Sequence, residues 1–248
     1  MTSFQTADGT EIAYQTLGEG KPVLLLHGLF SSGHTNWIRY GAAADIASAG
    51  FQLILPAFRA HGASGKPHDP ALYPADILAA DIEALIAHLG LTDYILGGYS
   101  LGARTTVRLL ARGHIPPPAK VVLGGMGLSG ITDIEGRSDF FLGVIKHSGT
   151  FKPGSAEYAA DAFMRQNAID TTAAAHLLRT QQPTPLETVR TLTPATLVIA
   201  GENDHDNGSA SELALALPHA SHATIPGNHM SAVTKPDFGT AIAAWLAH

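Results

Sequence analysis

The chain has 248 residues, 45% of them hydrophobic and 15% charged, a composition that excludes disorder and low complexity and fits one large domain with an insertion. Its 15 basic and 21 acidic residues leave a formal charge of −6 with no dense basic run, which argues against nucleic acid and anionic membranes and toward a small neutral ligand. Cysteine is absent, so disulfides, thiolate catalysis and cysteine-rich metal sites are excluded together. The polar start, Met1 to Glu11, lacks the basic-then-apolar pattern of a secretory leader, and no apolar stretch reaches the length of a membrane span. The expected location is the cytoplasm, with no membrane association.

Phe4 to Ala7 and Ile12 to Thr16 flank the turn signal Asp8-Gly9 and read as an opening antiparallel hairpin. Pro22 to Leu26 is continuously apolar, as a strand buried on both faces would be, so the sheet is expected to be mostly parallel and covered by helices. Asn36 to Ala49 suits one helix, Phe51 to Leu55 a second buried strand, and Pro74 to Leu89 a helix with Ile77, Ile82, Leu85, Ile86 and Leu89 mainly on one face.

Next comes the stretch with the clearest chemistry, Tyr94-Ile95-Leu96-Gly97-Gly98-Tyr99-Ser100-Leu101-Gly102-Ala103. An apolar strand runs into a serine with glycine two residues to either side, and Leu101 to Arg112 follows as a helix. A serine at so sharp a turn takes strained dihedrals, and side chains at positions 98 and 102 would collide there. The free N–H groups at the helix start point toward the serine, where they can hold a developing oxyanion. The pattern is a nucleophile elbow.

Lys120 to Gly124 and Thr196 to Ala200 are two further buried strands, followed by a helix over Ser209 to Leu217, a strand over His222 to Ile225 and a last helix near Trp245. Between them, Ser129 to Arg190 contains helix-like pieces (Phe140 to His147, Ala156 to Gln166, Thr171 to Arg179) but no convincing strand. Strands alternating with helices give a doubly wound α/β sheet, and an interruption of this length reads as an inserted, mobile helical cap. The expected organisation is a core of residues 1–128 and 191–248 with a cap of residues 129–190. The cap carries Phe140, Phe141, Phe151, Tyr158, Phe163 and Met164, whose side chains are expected to line the acyl pocket, with Phe140, Phe141 and Phe163 singled out as its substrate-contacting candidates.

A serine hydroxyl becomes a useful nucleophile when an imidazole takes its proton, and the imidazole needs a carboxylate to fix its tautomer. His229 follows a late strand and the Pro226-Gly227-Asn228 turn, a loop position from which it can reach across the carboxyl edge of the sheet, and it is the candidate base. Asp204 is the candidate carboxylate, since it lies four residues beyond the strand end at Ala200 with Gly201 allowing the turn. Asp206 and Asp133 are the alternatives; Asp206 is also placed to begin the following helix as a turn or capping residue.

His27-Gly28, Gly98-Tyr99-Ser100-Leu101-Gly102, Gly201-Glu202-Asn203-Asp204 and Gly227-Asn228-His229 occur in the order and spacing of the α/β-hydrolase family, which the chain resembles from Phe4 to Trp245. The resemblance implies a triad of Ser100, Asp204 and His229. It also implies an oxyanion hole from the backbone amides of Leu29 and Leu101, whose side chains would floor an apolar pocket, with His27 structural. Pro56 to Ser64 departs from the family's Asp-x-Arg-Gly-x-Gly-x-Ser loop at Ala57 and Ala60, and leaves Arg59 and His61 open between substrate binding and packing. Relatives that are dehalogenases or epoxide hydrolases carry an aspartate where Ser100 stands.

There is no metal-ligand spacing, phosphate-cradling loop or dinucleotide fingerprint, so no metal and no cofactor are expected. The leading expectation is a carboxylesterase-like serine hydrolase acting on a small, largely apolar ester, thioester or lactone through an acyl-enzyme. The alternatives are a carbon–carbon bond hydrolase or cofactor-free perhydrolase with the same triad, and a weakly catalytic small-molecule receptor. The natural substrate and the oligomeric state are not legible in the sequence.

Overall fold

The computed structural model describes residues 2–133 and 135–248. The opening hairpin pairs β1 (Thr2–Gln5) with β2 (Glu11–Leu17), Phe4 opposite Ile12. The buried strands follow as β3 (Lys21–Leu26), β4 (Phe51–Pro56), β5 (Ile95–Tyr99), β6 (Lys120–Gly124), β7 (Ala195–Gly201) and β8 (Ala220–Ile225). They form one sheet in the order β1-β2-β4-β3-β5-β6-β7-β8, antiparallel through β2–β4 and parallel from there on. This is the expected doubly wound sheet with its antiparallel opening.

Alternation along β3 shows why its apolar run is unbroken. Leu24 and Leu26 join one core cluster with Ile82, Leu85 and Leu96, whereas Val23 and Leu25 join another with Trp37, Ile46 and Phe238. Both faces are therefore covered. The helices α1 (Ala42–Ser48), α2 (Ile77–His88) and α3 (Leu101–Arg112) fall in the first half of the chain. Two of the expected helices differ from their reading. Asn36 to Ala49 is not one helix: a π-helical turn over His34–Ile38 is separated from α1 by Gly41 at φ 95°. The helix expected from Pro74 starts at Ile77, because Asp76 takes the left-handed conformation at φ 60° and uses its carboxylate on Arg108.

After β6 come α4 (Ser129–Thr132), α5 (Glu135–Lys146), α6 (Ala156–Gln166), α7 (Thr171–Leu178) and α8 (Leu186–Val189), with no strand among the described residues. This segment is fastened to the core rather than simply laid on it. Ile131 and Val189 pack with Val121, Leu123 and Val198, and Ala173 and Leu177 pack with the α2 side. A smaller cluster of Phe30, Met164 and Ala174 joins it to the loop after β3. The chain closes with α9 (Ala210–Ala216) and α10 (Pro236–Ala247). Ser209 caps α9 by accepting the amide of Glu212, so Asp206 does not begin that helix. Among the described residues no helix is long and apolar enough to cross a membrane.

Two loops at the carboxyl edge are tied together by buried histidines. Phe58 N–H donates to His27 Nε2 and Phe30 N–H to His61 Nε2, each at 3.0 Å, while the Nδ1 atoms face the carbonyls of Gly28 and Arg59. Both rings are therefore neutral with the proton on Nδ1. Burial, with His61 nearby, lowers His27 to about 3, and burial, with Lys66 nearby, lowers His61 to about 4. Arg59 is fully buried against Asp81 in a two-point contact, and also donates to Asp8 and the carbonyl of Leu72. The loop arginine and histidine left open by the sequence are packing residues. Ala60, where the family pattern has glycine, keeps the left-handed backbone at φ 68°.

Two outcomes follow for stability. A Cβ at Gly102 would overlap the backbone of Leu26 and His27, whereas a Cβ at Gly143 inside α5 meets nothing within 4 Å. In urea denaturation Gly102→Ala is expected to lose more than about 2 kcal/mol, and Gly143→Ala to gain about 0.5–1 kcal/mol from the lower entropy of alanine. The histidines give a pH dependence. Their folded values lie below the ordinary 6.5, so the unfolded chain binds more protons as pH falls from about 6.5 toward 4, and the stabilisation present at neutral pH is lost through that window. Between pH 7 and pH 5 each ring should cost about 2 kcal/mol, so His61→Gln should show a correspondingly smaller loss than wild type in paired urea titrations. An equal loss would contradict the neutral-histidine tie.

Candidate active site

Ser100 sits between β5 and α3 at φ 54°, ψ −113°, a strained conformation for a residue with a side chain. The turn exists because the flanking glycines leave room: a Cβ at Gly98 would overlap Gly102, and one at Gly102 would overlap the end of β3. The Ser100 amide is held by the carbonyl of Gly124 at 2.8 Å, and its carbonyl accepts from Arg104 N–H at 3.0 Å, starting the helix.

Ser100 Oγ lies 2.9 Å from His229 Nε2, and His229 Nδ1 lies 3.0 and 3.1 Å from the two Asp204 oxygens. All three side chains are mostly buried. Nδ1–H donated to Asp204 leaves Nε2 as the acceptor of the serine hydroxyl, which is the tautomer a general base needs. Asp204 is set by the turn after β7, its amide donating to Gly201 carbonyl at 3.0 Å, and Asp206 N–H donates to Asp204 Oδ1 at 3.3 Å. The structure thus brings Ser100, His229 and Asp204 together. Asp206 instead faces Arg137, whose Nη1 donates to the Asp206 carbonyl at 2.9 Å, and Asp133 is exposed beyond α4.

The amides of Leu29 and Leu101 donate no hydrogen bond among the described residues, and both residues border the same cavity as Ser100. Leu29 follows Gly28, where an added Cβ would come to 3.6 Å from Ser100 Cβ. Gly28 N–H donates to Asn36 Oδ1 at 2.8 Å, so the π-helical turn fixes this loop.

The cavity above the serine measures about 710 Å³. Phe140, Phe141 and Phe163 line it, together with Leu29, Leu101 and Leu178. Phe141 meets Phe30 and Phe140 edge to face, at 5.5 and 5.1 Å between centroids. Of the other cap candidates, Met164 is buried in the cluster with Phe30, and Tyr158 is exposed on α6.

Two supporting residues escaped the sequence reading. Tyr99 donates its hydroxyl to the His229 carbonyl at 2.6 Å and stacks obliquely on its ring at 5.4 Å. Burial, with Asp204 and Asp206 nearby, pushes the Tyr99 phenol well up, so it remains a donor. Its signal was the aromatic between Gly98 and Ser100. Asn36 gave no signal, because its partner is a backbone amide eight residues away. Among the described residues no group of three or more His, Asp or Glu side chains is arranged to hold a metal.

Residues 21–125 match the sequence model of the alpha/beta hydrolase fold. Over 128 residues, 49% of this chain, the sequence is 37% identical to a non-heme haloperoxidase of Rhodococcus erythropolis, and it is 34% identical over 43% of the chain to the non-heme chloroperoxidase CPO-A1 of Kitasatospora aureofaciens. The matched stretches span 43% and 37% of those relatives' own lengths, less than half of each. An esterase from Exiguobacterium antarcticum superposes with a TM-score of 0.81 at 18% identity, covering 100% of this chain and 99% of its own. A bromoperoxidase from Bacillus anthracis gives 0.73 at 23%, covering 96% of both. The sheet order and the elbow are those of the α/β-hydrolase fold, whose sequence model matches residues 21–125.

Proposed function

We propose that this chain is a cofactor-independent serine hydrolase that cleaves a small, largely apolar ester, thioester or lactone through an acyl-enzyme on Ser100. The observation that carries the reading is the continuous line from Ser100 Oγ through His229 to Asp204, with links of 2.9 and 3.0 Å. In this reading Oγ attacks the substrate carbonyl carbon as its proton passes to His229 Nε2, and Asp204 stabilises the imidazolium. The carbonyl oxygen, now anionic, accepts from the amides of Leu29 and Leu101. His229 returns the proton to the leaving alcohol or thiol, or to the ring oxygen of an opened lactone. A water, deprotonated by the same imidazole, then releases the acid and restores Ser100.

In the same reading α4 to α8 act as a cap, and Phe140, Phe141 and Phe163 bound the acyl pocket. The similarity to proteins named haloperoxidases supports a second reading, perhydrolysis, in which hydrogen peroxide takes the place of water at the acyl-enzyme and leaves as the peracid. Both readings use one acyl-enzyme.

Ser100→Ala should lower turnover of a short-chain chromogenic ester by on the order of 10⁶ with an unchanged circular dichroism spectrum, since it removes the nucleophile and opens little space. Asp204→Asn should lower it by ~10⁴ by favouring the wrong imidazole tautomer. Asp133→Asn should stay near wild type, and Asp206→Asn should fall far less than Asp204→Asn. Wild-type-like activity of Ser100→Ala would overturn the hydrolase reading, and collapse at Asp133 or Asp206 in place of Asp204 would overturn the choice of carboxylate.

A further inference from the structure

The cavity over Ser100 is walled mainly by apolar side chains, but the charges on that wall are unbalanced. Among the described residues, three arginines, Arg39, Arg104 and Arg137, border it with one carboxylate, Asp206. This excess of positive charge arises in a chain whose formal charge is −6. Arg104 is the most unusual of the three. It lies on α3 one turn beyond Ser100, its amide donating to the Ser100 carbonyl. It is 7% exposed, its Nε donates to the Gly130 carbonyl at 2.7 Å, and its terminal nitrogens have no carboxylate partner among the described residues.

A buried guanidinium without a counter-charge is costly, and a second cation beside it adds to the cost. Burial, with Arg137 nearby, lowers Arg104 to about 10, and Arg137 is lowered by its own burial in spite of Asp206. Arg137 also lies over the Phe141 ring at 5.4 Å and 3.8 Å from the Asp206 carboxylate, leaving Arg104 without such relief. By contrast, buried Arg59 is matched by Asp81 and Asp8. Among the described residues, a buried arginine is therefore neutralised where it serves packing and one is left without a carboxylate at the cavity.

We propose that Arg104, assisted by Arg137, is a specificity-determining residue that binds a carboxylate on the substrate, so that the preferred ester carries a free acid group as well as the scissile bond. This rests on the hydrolase reading and narrows its substrate class from any small, largely apolar ester to one that also carries a carboxylate, in place of the neutral ligand expected from the net charge. A planar guanidinium takes a carboxylate through two parallel hydrogen bonds, and such a contact discriminates strongly against an ester-capped analogue.

The test compares two matched pairs: monophenyl adipate with its methyl ester, where the charge is on the acyl side, and 4-acetoxybenzoate with its methyl ester, where it is on the leaving group. Wild type should prefer the free acid in at least one pair by about tenfold or more in kcat/KM, and Arg104→Met should bring that ratio close to one. Adipate should also inhibit wild-type turnover of a neutral ester more strongly than dimethyl adipate does, a measurement that needs no variant to fold. If Arg104→Met does not fold, Arg104→Lys and Arg137→Gln should each reduce the ratio. No preference in either pair, no selective inhibition by adipate, or proportional losses on acid and capped ester in the variant would overturn the proposal. If no ester is turned over, the hydrolase reading fails separately. In that case a rise in Tm with adipate that wild type shows and Arg104→Met lacks upholds the anion site, and no rise overturns it.

Discussion

The geometry of the whole carboxyl edge depends on how closely α3 approaches the ends of β3 and β5. Contact between backbones at that point is possible because positions 98 and 102 lack side chains, and it forces Ser100 into positive φ. The strain is of order 1–3 kcal/mol, and surrounding packing must hold it: β3 and β5 are buried to within 2% at Val23 to Leu26, Ile95 and Leu96. That rigidity aims the hydroxyl out of the sheet. It also leaves the first amides of α3 without a partner among the described residues, so that in the proposed reading nucleophile and oxyanion donor arise from a single constraint.

His229 and Asp204 reach this point from separate loops, and their alignment depends on contacts remote from the reaction. Tyr99 anchors the histidine loop through the His229 carbonyl, and its ring is itself wedged beside Gly125 and Phe238. On the other side, Asn36 and the two neutral histidines hold the Gly28–Leu29 turn against the loop after β4. Acid should therefore loosen the site through His27 and His61. The cavity wall shows a different economy of charge, with Arg59 matched in the core and Arg104, among the described residues, without a carboxylate, the contrast on which the proposed anion site rests.

Much of this was legible in the sequence because the signals are local or strongly periodic. Continuous apolar runs such as Val23 to Leu26 mark strands buried twice, and Gly98, Ser100 and Gly102 encode a turn through what their side chains would hit. The order of Ser100, Asp204 and His229 along the chain matched the geometry in which they meet. What the sequence concealed lies in tertiary contacts. The break between the π-helical turn and α1 depends on Gly41 in a segment whose composition still reads as helix. Asp206 looked like a helix cap, yet Ser209 holds the amide, and Asp206 is turned toward Arg137 on a helix far along the chain. Net charge is silent here: an overall −6 gives no hint that one cavity gathers three arginines.

The central claim is that Ser100 is an activated nucleophile, and covalent trapping reads it without knowledge of the natural substrate. Purified protein is treated near neutral pH with a fluorophosphonate, then measured by intact mass and peptide mapping. The account predicts one adduct per chain, on the peptide that contains Ser100, absent in Ser100→Ala and formed far more slowly in His229→Ala. Failure of the folded wild-type chain to react, or an adduct on another serine with Ser100 unmodified, would contradict it.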